Sequence, residues 1–208
     1  MFKKKVSTPA TMVFSRVVES RMNTDLILVW PTSQCGELLS ARVVPWDSQR
    51  LPEFNWRPRR EVEDDAEWQQ PIAYVVLKRK SLVWAYRRKG GDGRLDGRVS
   101  IGVGGHVDPV DQRPAQLETL LAAASREMAE ELANGYSLNQ PRPMAWIHEH
   151  ESAVGLVHLG FVCCIEWDRD EEPQVRRGEK LESLGFVDPS RLPEGTELWS
   201  RLAWEALQ

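Results

Sequence analysis

Residues 99 to 132, VSIGVGGHVDPVDQRPAQLETLLAAASREMAEEL, contain a change of periodicity that decides the fold. Arg98 to Val103 alternates like a strand and runs into Gly104-Gly105. From Pro114 to Leu132 the period becomes that of a helix, with Leu117, Leu121, Ala124, Met128 and Leu132 on one stripe. Pro114 suits a first turn, Asp111 stands slightly upstream as a candidate cap, and Asn134-Gly135 offers a left-handed stop. Before this segment, Ile72 to Leu77 and Ser81 to Tyr86 are rich in β-branched and aromatic residues and are separated by Lys78-Arg79-Lys80, a hairpin pattern. A loop of glycines and basic residues, Arg87 to Gly97, follows the hairpin. After the helix come strands at Met144 to Glu149 and Val154 to Ile165, an acidic loop (Asp168 to Gly178), a last strand (Ser183 to Val187) and a terminal helix (Thr196 to Leu207). Strands on both sides of one central helix, with a second helix at the end, predict an α/β sandwich with a mixed sheet.

Residues 1–65 read as an N-terminal extension, β-rich and packed on the main domain of residues 66–208, with the boundary in the acidic run Glu61 to Glu67. Composition excludes several classes. Hydrophobic residues make up 41% of the 208 and charged residues 28%, which fits neither disorder nor a membrane protein. No apolar run approaches the roughly 20 residues that span a bilayer. The basic start is followed by too polar a stretch for a secretion signal, and Cys35, Cys163 and Cys164 lack metal or disulfide spacing, so a reducing cytoplasm is expected. The net charge of −4 is uneven: residues 1–60 carry 10 Lys/Arg against 5 Asp/Glu, and the rest is acidic. That balance argues against nonspecific nucleic-acid binding, which needs clustered positive charge.

On the central helix, Glu127, Glu130 and Glu131 stand at i, i+3 and i+4, within an arc of about 100° beside the apolar stripe. Like charges at this spacing repel, and partial burial sharpens the repulsion unless a cation sits between them. Mg²⁺ or Mn²⁺, which favours hard oxygen ligands and bridges carboxylates to phosphates, is the matching partner. A solvated acidic face is the competing reading of the three glutamates taken alone, and the surrounding residues separate the two.

Gly104-Gly105-His106-Val107, Glu118 seven residues before Arg126, and Arg126-Glu127-Met128-Ala129-Glu130-Glu131 together resemble the signature of the Nudix hydrolase superfamily. That signature is Gly, five residues, Glu, seven residues, then Arg-Glu-apolar-x-Glu-Glu-x-Gly-apolar. The order of elements over residues 70–208 is similar to the Nudix α/β/α sandwich, and Gly93 to His106 resembles a MutT-type branch of bacterial phosphoesterases. The resemblance implies a metal-dependent hydrolase of a diphosphate bond in a nucleoside diphosphate linked to another moiety, with Mg²⁺ or Mn²⁺ as cofactor. It implies metal ligation by Glu127, Glu130 and Glu131, with Glu179 as a further ligand, and places Arg126 as the residue that orients the carboxylates. The general base stays open among Glu127, Glu118 and a glutamate of the later loop. Arg87, Arg88, Arg94, Gly104, Gly105 and His106 are the expected substrate contacts, Trp84 is a candidate for base stacking, and a homodimer is the expected assembly.

Two departures bear on these expectations. Gly105 to Arg126 spans 21 positions where the family has 14, so about seven residues are extra. Either the loop is long and Glu118 keeps its place, or the helix begins early. An early start turns Glu118 about 170° away from the other carboxylates and leaves Asp108 or Asp111 to act in its stead. Ala133 also replaces the terminating Gly. The alternative function is a Nudix-fold binding or regulatory module without turnover. An isoprenoid diphosphate isomerase ranks third, since the cysteines lie in no matching context.

Overall fold

A computed structural model describes residues 25–47, 51–90, 96–135 and 140–208. Among these described residues ten strands and three α-helices follow in chain order: β1 (Leu26–Pro31), β2 (Val43–Pro45), β3 (Asn55–Pro58), α1 (Arg59–Val62), β4 (Trp68–Arg79), β5 (Leu82–Arg88), β6 (Val99–Ser100), β7 (Gly102–Val103), α2 (Gln116–Glu131), β8 (Arg142–Ile147), β9 (His158–Glu166), β10 (Leu181–Val187) and α3 (Leu198–Glu205). The sheet has the path β10-β5-β4-β9-β8-β2. β4 and β9 run parallel over nine paired residues, and the other neighbours on the path are antiparallel. The sheet is therefore mixed, as the order of elements predicts.

Period-2 alternation distributes the core to two faces. Ala73, Val75 and Leu77 of β4, with Phe161, Cys163 and Ile165 of β9, pack against Leu120, Ala123, Ala124 and Met128 of α2. Their neighbours Tyr74, Val76 and Val162 pack against Leu202 and Ala203 of α3. The result is an α/β/α sandwich with α2 and α3 on opposite faces. Trp84 belongs to the first core and is fully buried, its indole N–H donating to Ser183 Oγ (3.0 Å), so it is not free to stack on a base.

The stripe of α2 is rotated from the one expected. Leu120, Ala123, Ala124 and Met128 are buried, whereas Leu117 and Leu121 only flank the core. Asp111 caps no part of α2, because it closes a separate 3₁₀ turn at Pro109–Asp111, and Ala115 at the N-cap makes no side-chain cap bond. Nor does Gly135 supply a left-handed stop. The helix ends as Leu132 turns extended (φ −115°, ψ 127°), and Gly135 is not among the residues of positive φ. Arg176 terminates the helix instead: its Nε donates to Glu130 O (3.1 Å), its Nη2 to Ala129 O (2.6 Å) and its backbone N–H to Glu131 O (2.8 Å), satisfying carbonyls that have no partner within the helix. Gly135 is needed for close approach, since a Cβ there would lie 2.4 Å from Met128 O.

Residues before β4 share the main core. β1 pairs with β3 and hands on to β4 at Trp30↔Gln69, β2 pairs with β8, and Leu28, Trp30, Cys35 and Leu38 join the α2-side cluster. Among the described residues no helix is long and apolar enough to cross a membrane.

Candidate active site

The approach to the site is built from glycines. Gly104 lies so close to β4 that a Cβ would fall 1.7 Å from Ala73 O, while the Gly105 carbonyl accepts from Ala73 N–H (2.9 Å). A Cβ on Gly105 would sit 2.6 Å from Glu127 Oε1. One glycine thus lets two backbones meet and the other lets the backbone meet a carboxylate. Beyond them the extra residues fold into the turn Pro109–Asp111, with Asp111 Oδ2 accepting from Asp108 N–H (2.9 Å).

Arg126 ties this turn to the helix. Its Nε donates to Asp111 Oδ1 and Oδ2 (3.0 and 3.2 Å), and its Nη2 donates to Asp111 Oδ2 (3.0 Å) and to His106 O (2.8 Å). Its Nη1 donates to Glu127 Oε1 (2.8 Å) and Glu130 Oε2 (3.0 Å). Burial works against the guanidinium charge, but the Asp111 hydrogen bond and the charges of Glu127, Asp111 and Asp108 outweigh it and raise its pKa. Asp111 itself is 2% exposed.

The neighbouring carboxylates are under-compensated. Burial raises Glu127 to about 7 against the pull of Arg126, with Glu130 and Asp108 adding repulsion. Burial likewise raises Glu131 to about 8, opposed by Arg88 and reinforced by Glu127, Glu179 and Glu130. Glu131 Oε2 is buried without a hydrogen-bond partner. Arg88 acts on Glu131 electrostatically and faces a second acid, Glu197, whose Oε2 is 3.9 Å from Arg88 Nε and whose Oε1 accepts from Tyr74 (2.9 Å) and Ser100 (2.6 Å). Among the described residues no three acidic, His or Cys side chains converge on a metal-sized point. Arg126 Nη1 is the cation that Glu127 and Glu130 face. An all-carboxylate donor set with one orphaned buried oxygen nonetheless fits a hard divalent cation.

The expected site residues fall into groups. Glu127 and Glu130 meet at Arg126, while Glu131 stands beside them, near enough to Glu127, Glu130 and the exposed Glu179 for their charges to raise its pKa. Gly105 borders Glu127 and Arg88 acts on Glu131, whereas Gly104 packs on the β4 backbone at Ala73. Glu118 does not join: α2 is continuous from Gln116, which puts Glu118 on the first turn, exposed, about half a turn around and about 13 Å along the axis from Glu127. The early-starting helix is the arrangement adopted. His106 serves through its carbonyl. Its ring is paired with Gln70 (2.9 Å) and edge-on to His158, and burial with the nearby charges of Arg59, His158 and Arg126 lowers its pKa to about 3, so it presents no cation to a phosphate. Arg87 donates to Gly97 O (2.8 Å) and closes its own loop, and Arg94 lies outside the described residues. Arg176 and Glu197 were not found from sequence. Arg176, inside the acidic loop, had only its charge as a signal, and Glu197 had none.

Solved structures share this architecture. Tm1382, a Nudix hydrolase by assignment, aligns with a TM-score of 0.66 at 23% identity, covering 88% of this chain and 97% of its own. The MutT Nudix hydrolase of Burkholderia pseudomallei aligns with a TM-score of 0.53 at 21% identity, covering 67% of this chain and 98% of its own. The chain therefore has the fold of these Nudix hydrolases, and in it the glycine pair leads to an Arg-Glu-x-x-Glu-Glu helix. Among curated proteins it is similar to protein YmaB of Bacillus subtilis (strain 168), 32% identical over 158 residues that cover 72% of this chain and 76% of the relative. No family model matches the chain.

Proposed function

We propose that the protein is a metal-dependent pyrophosphohydrolase that cleaves a diphosphate bond in a nucleoside diphosphate linked to another moiety. The observation that carries this reading is the pair Glu127 and Glu131, two part-buried carboxyls on one helix face with raised pKa and a buried, orphaned oxygen, Glu131 Oε2. Such a pair is unfavourable unless a cation completes it. Glu127, Glu130 and Glu131 hold Mg²⁺ or Mn²⁺, with Glu179 at the rim. When bound there, a divalent ion would supply charge neutralisation to the phosphates and activation of water. Arg126 holds the Glu127 carboxylate while no cation is bound, and Arg88, which faces Glu197 and acts on Glu131 electrostatically, offers a guanidinium to phosphate oxygens. Of the carboxylates weighed as general base, the reading favours Glu127, held beside Arg126 and Gly105, over Glu118 on the first turn of α2.

The test is nucleotide or phosphate release from nucleoside triphosphates, dinucleoside polyphosphates, nucleotide sugars and dinucleotide cofactors, with and without Mg²⁺ or Mn²⁺, for wild type and Glu131→Gln. Hydrolysis that needs both the metal and Glu131 supports the proposal. Tight binding without cleavage of any compound would replace it with a binding module.

A further inference from the structure

Asp111 sits in the part of the chain that departs from the family spacing, yet it is the most thoroughly engaged acid near the site. It is 2% exposed, takes Arg126 Nε and Nη2 on its two oxygens, and holds its own turn closed through Asp108 N–H. Arg126 has five N–H bonds to give, and all of them have acceptors: Nε on Asp111, one Nη2 hydrogen on Asp111 and the other on His106 O, and the two Nη1 hydrogens on Glu127 and Glu130. The guanidinium therefore has an anchored side, facing Asp111 and the His106 carbonyl, and a working side, facing two of the carboxylates assigned above to the metal.

We infer that Asp111 is the positioning residue that neutralises and anchors Arg126, so that Glu127 and Glu130 can exchange their guanidinium contact for a divalent cation. The inference rests on the metal-site reading above. Electrostatics gives its direction. Without the Asp111 charge, Arg126 is balanced on its anchored side only by the longer ion pair of its Nη2 with the more exposed Asp108 (3.7 Å), and the cation must compete for Glu127 and Glu130 against a less compensated guanidinium a few ångströms away. With Asp111 in place the anchored side carries the compensation, and Nη1 can lose its partners while the guanidinium stays put.

The experiment measures Mn²⁺ alone binding to the full chain, by calorimetry or electron paramagnetic resonance, in wild type, Glu131→Gln, Asp111→Asn, Arg126→Gln and the Asp111→Asn/Arg126→Gln double variant. Asparagine keeps an oxygen for Asp108 N–H and removes the charge. Wild-type binding that Glu131→Gln does not weaken would overturn the metal-site reading itself. Given Glu131-dependent binding, Asp111→Asn is expected to weaken Mn²⁺ by about ten-fold or more, the scale of one uncompensated charge near a divalent ion. In the Arg126→Gln background the same substitution is expected to have no further effect, because Asp111 acts through the arginine. Undiminished affinity in Asp111→Asn would overturn the inference. A further loss in the double variant would also overturn it, because Asp111 would then meet the metal directly. Should Asp111→Asn not fold alone, the comparison of Arg126→Gln with the double variant decides: equal affinities support the inference and a further loss refutes it.

Discussion

Replacing Glu131 by Gln should stabilise the metal-free protein at alkaline pH, although it removes a residue of the site. Burial holds Glu131 at about 8 in the folded chain against an ordinary 4.5. The unfolded chain therefore releases this proton well before the folded chain does, and between those two values the folded state binds more protons. Stability from this group is full below pH 4.5, falls as pH rises toward 8, and stays reduced above it. At 1.36 kcal/mol per pH unit the full penalty is about 5 kcal/mol, an upper figure because local water and side-chain motion relieve part of it, so about 2–4 kcal/mol is expected. Glutamine has nearly the shape of the protonated acid and never ionises. Urea unfolding in the presence of a chelator should give wild type and Glu131→Gln stabilities within about 1 kcal/mol of each other at pH 5, and a variant more stable by about 2–4 kcal/mol at pH 8.5. Saturating Mn²⁺ should raise the wild-type midpoint at pH 8.5 and leave the variant nearly unmoved. A variant no more stable than wild type at pH 8.5, with equal stabilities at pH 5, would refute the claim that Glu131 is a buried acid lacking its cation.

Other residues give sharper local tests. Glu118→Gln should leave turnover within about two-fold of wild type, whereas Glu127→Gln should lower kcat by about a hundred-fold or more, both read in steady-state assays with the substrate found above. Gly104→Ala drives a methyl group to 1.7 Å from the Ala73 carbonyl and has to break the β4 contact, so a loss of at least about 3 kcal/mol is expected in denaturant unfolding. Gly105→Ala meets only the end of the Glu127 side chain at 2.6 Å, which can turn aside where backbone cannot, so the fold should survive while Mn²⁺ affinity falls, and calorimetry separates the two effects. Arg176→Ala strips a side-chain donor from the last carbonyls of α2. It should cost about 1 kcal/mol and speed amide exchange in residues 129–132 ahead of the rest of the helix, measured by hydrogen exchange.

What was legible in the sequence was whatever has a local period or a fixed spacing. The β4–β5 hairpin shows in Ile72 to Tyr86 because both strands carry β-branched and aromatic residues, and the turn residue Lys80, at φ 58°, lies inside the polar break that separates them. The Arg126 to Glu131 cluster shows because helical geometry alone puts those side chains on one face. Elements decided by distant partners did not show. β2 is three residues long and is a strand only because Val43 to Pro45 lie against Ala145 to Ile147. The expected stop at Asn134-Gly135 failed for a similar reason, since a segment some forty residues onward, around Arg176, satisfies the end of α2 first.

The insertion is the instructive case, because spacing posed the question and only three-dimensional contact could answer it. The 21 positions from Gly105 to Arg126 admitted either a long loop that keeps Glu118 in place or a helix that begins early. Helix α2 takes the second course, and the consequence is forced: a helix running from Gln116 cannot bring residues nine apart to the same face. An arginine as buried as Arg126 still requires compensation on its far side, and the turn made by the extra residues places Asp111 there with both oxygens engaged. Loop and helix are therefore one compensated change. Restoring the family spacing by deleting residues from the 107–114 loop should damage the site, because it removes the acid that now anchors Arg126 without bringing Glu118 around to replace it.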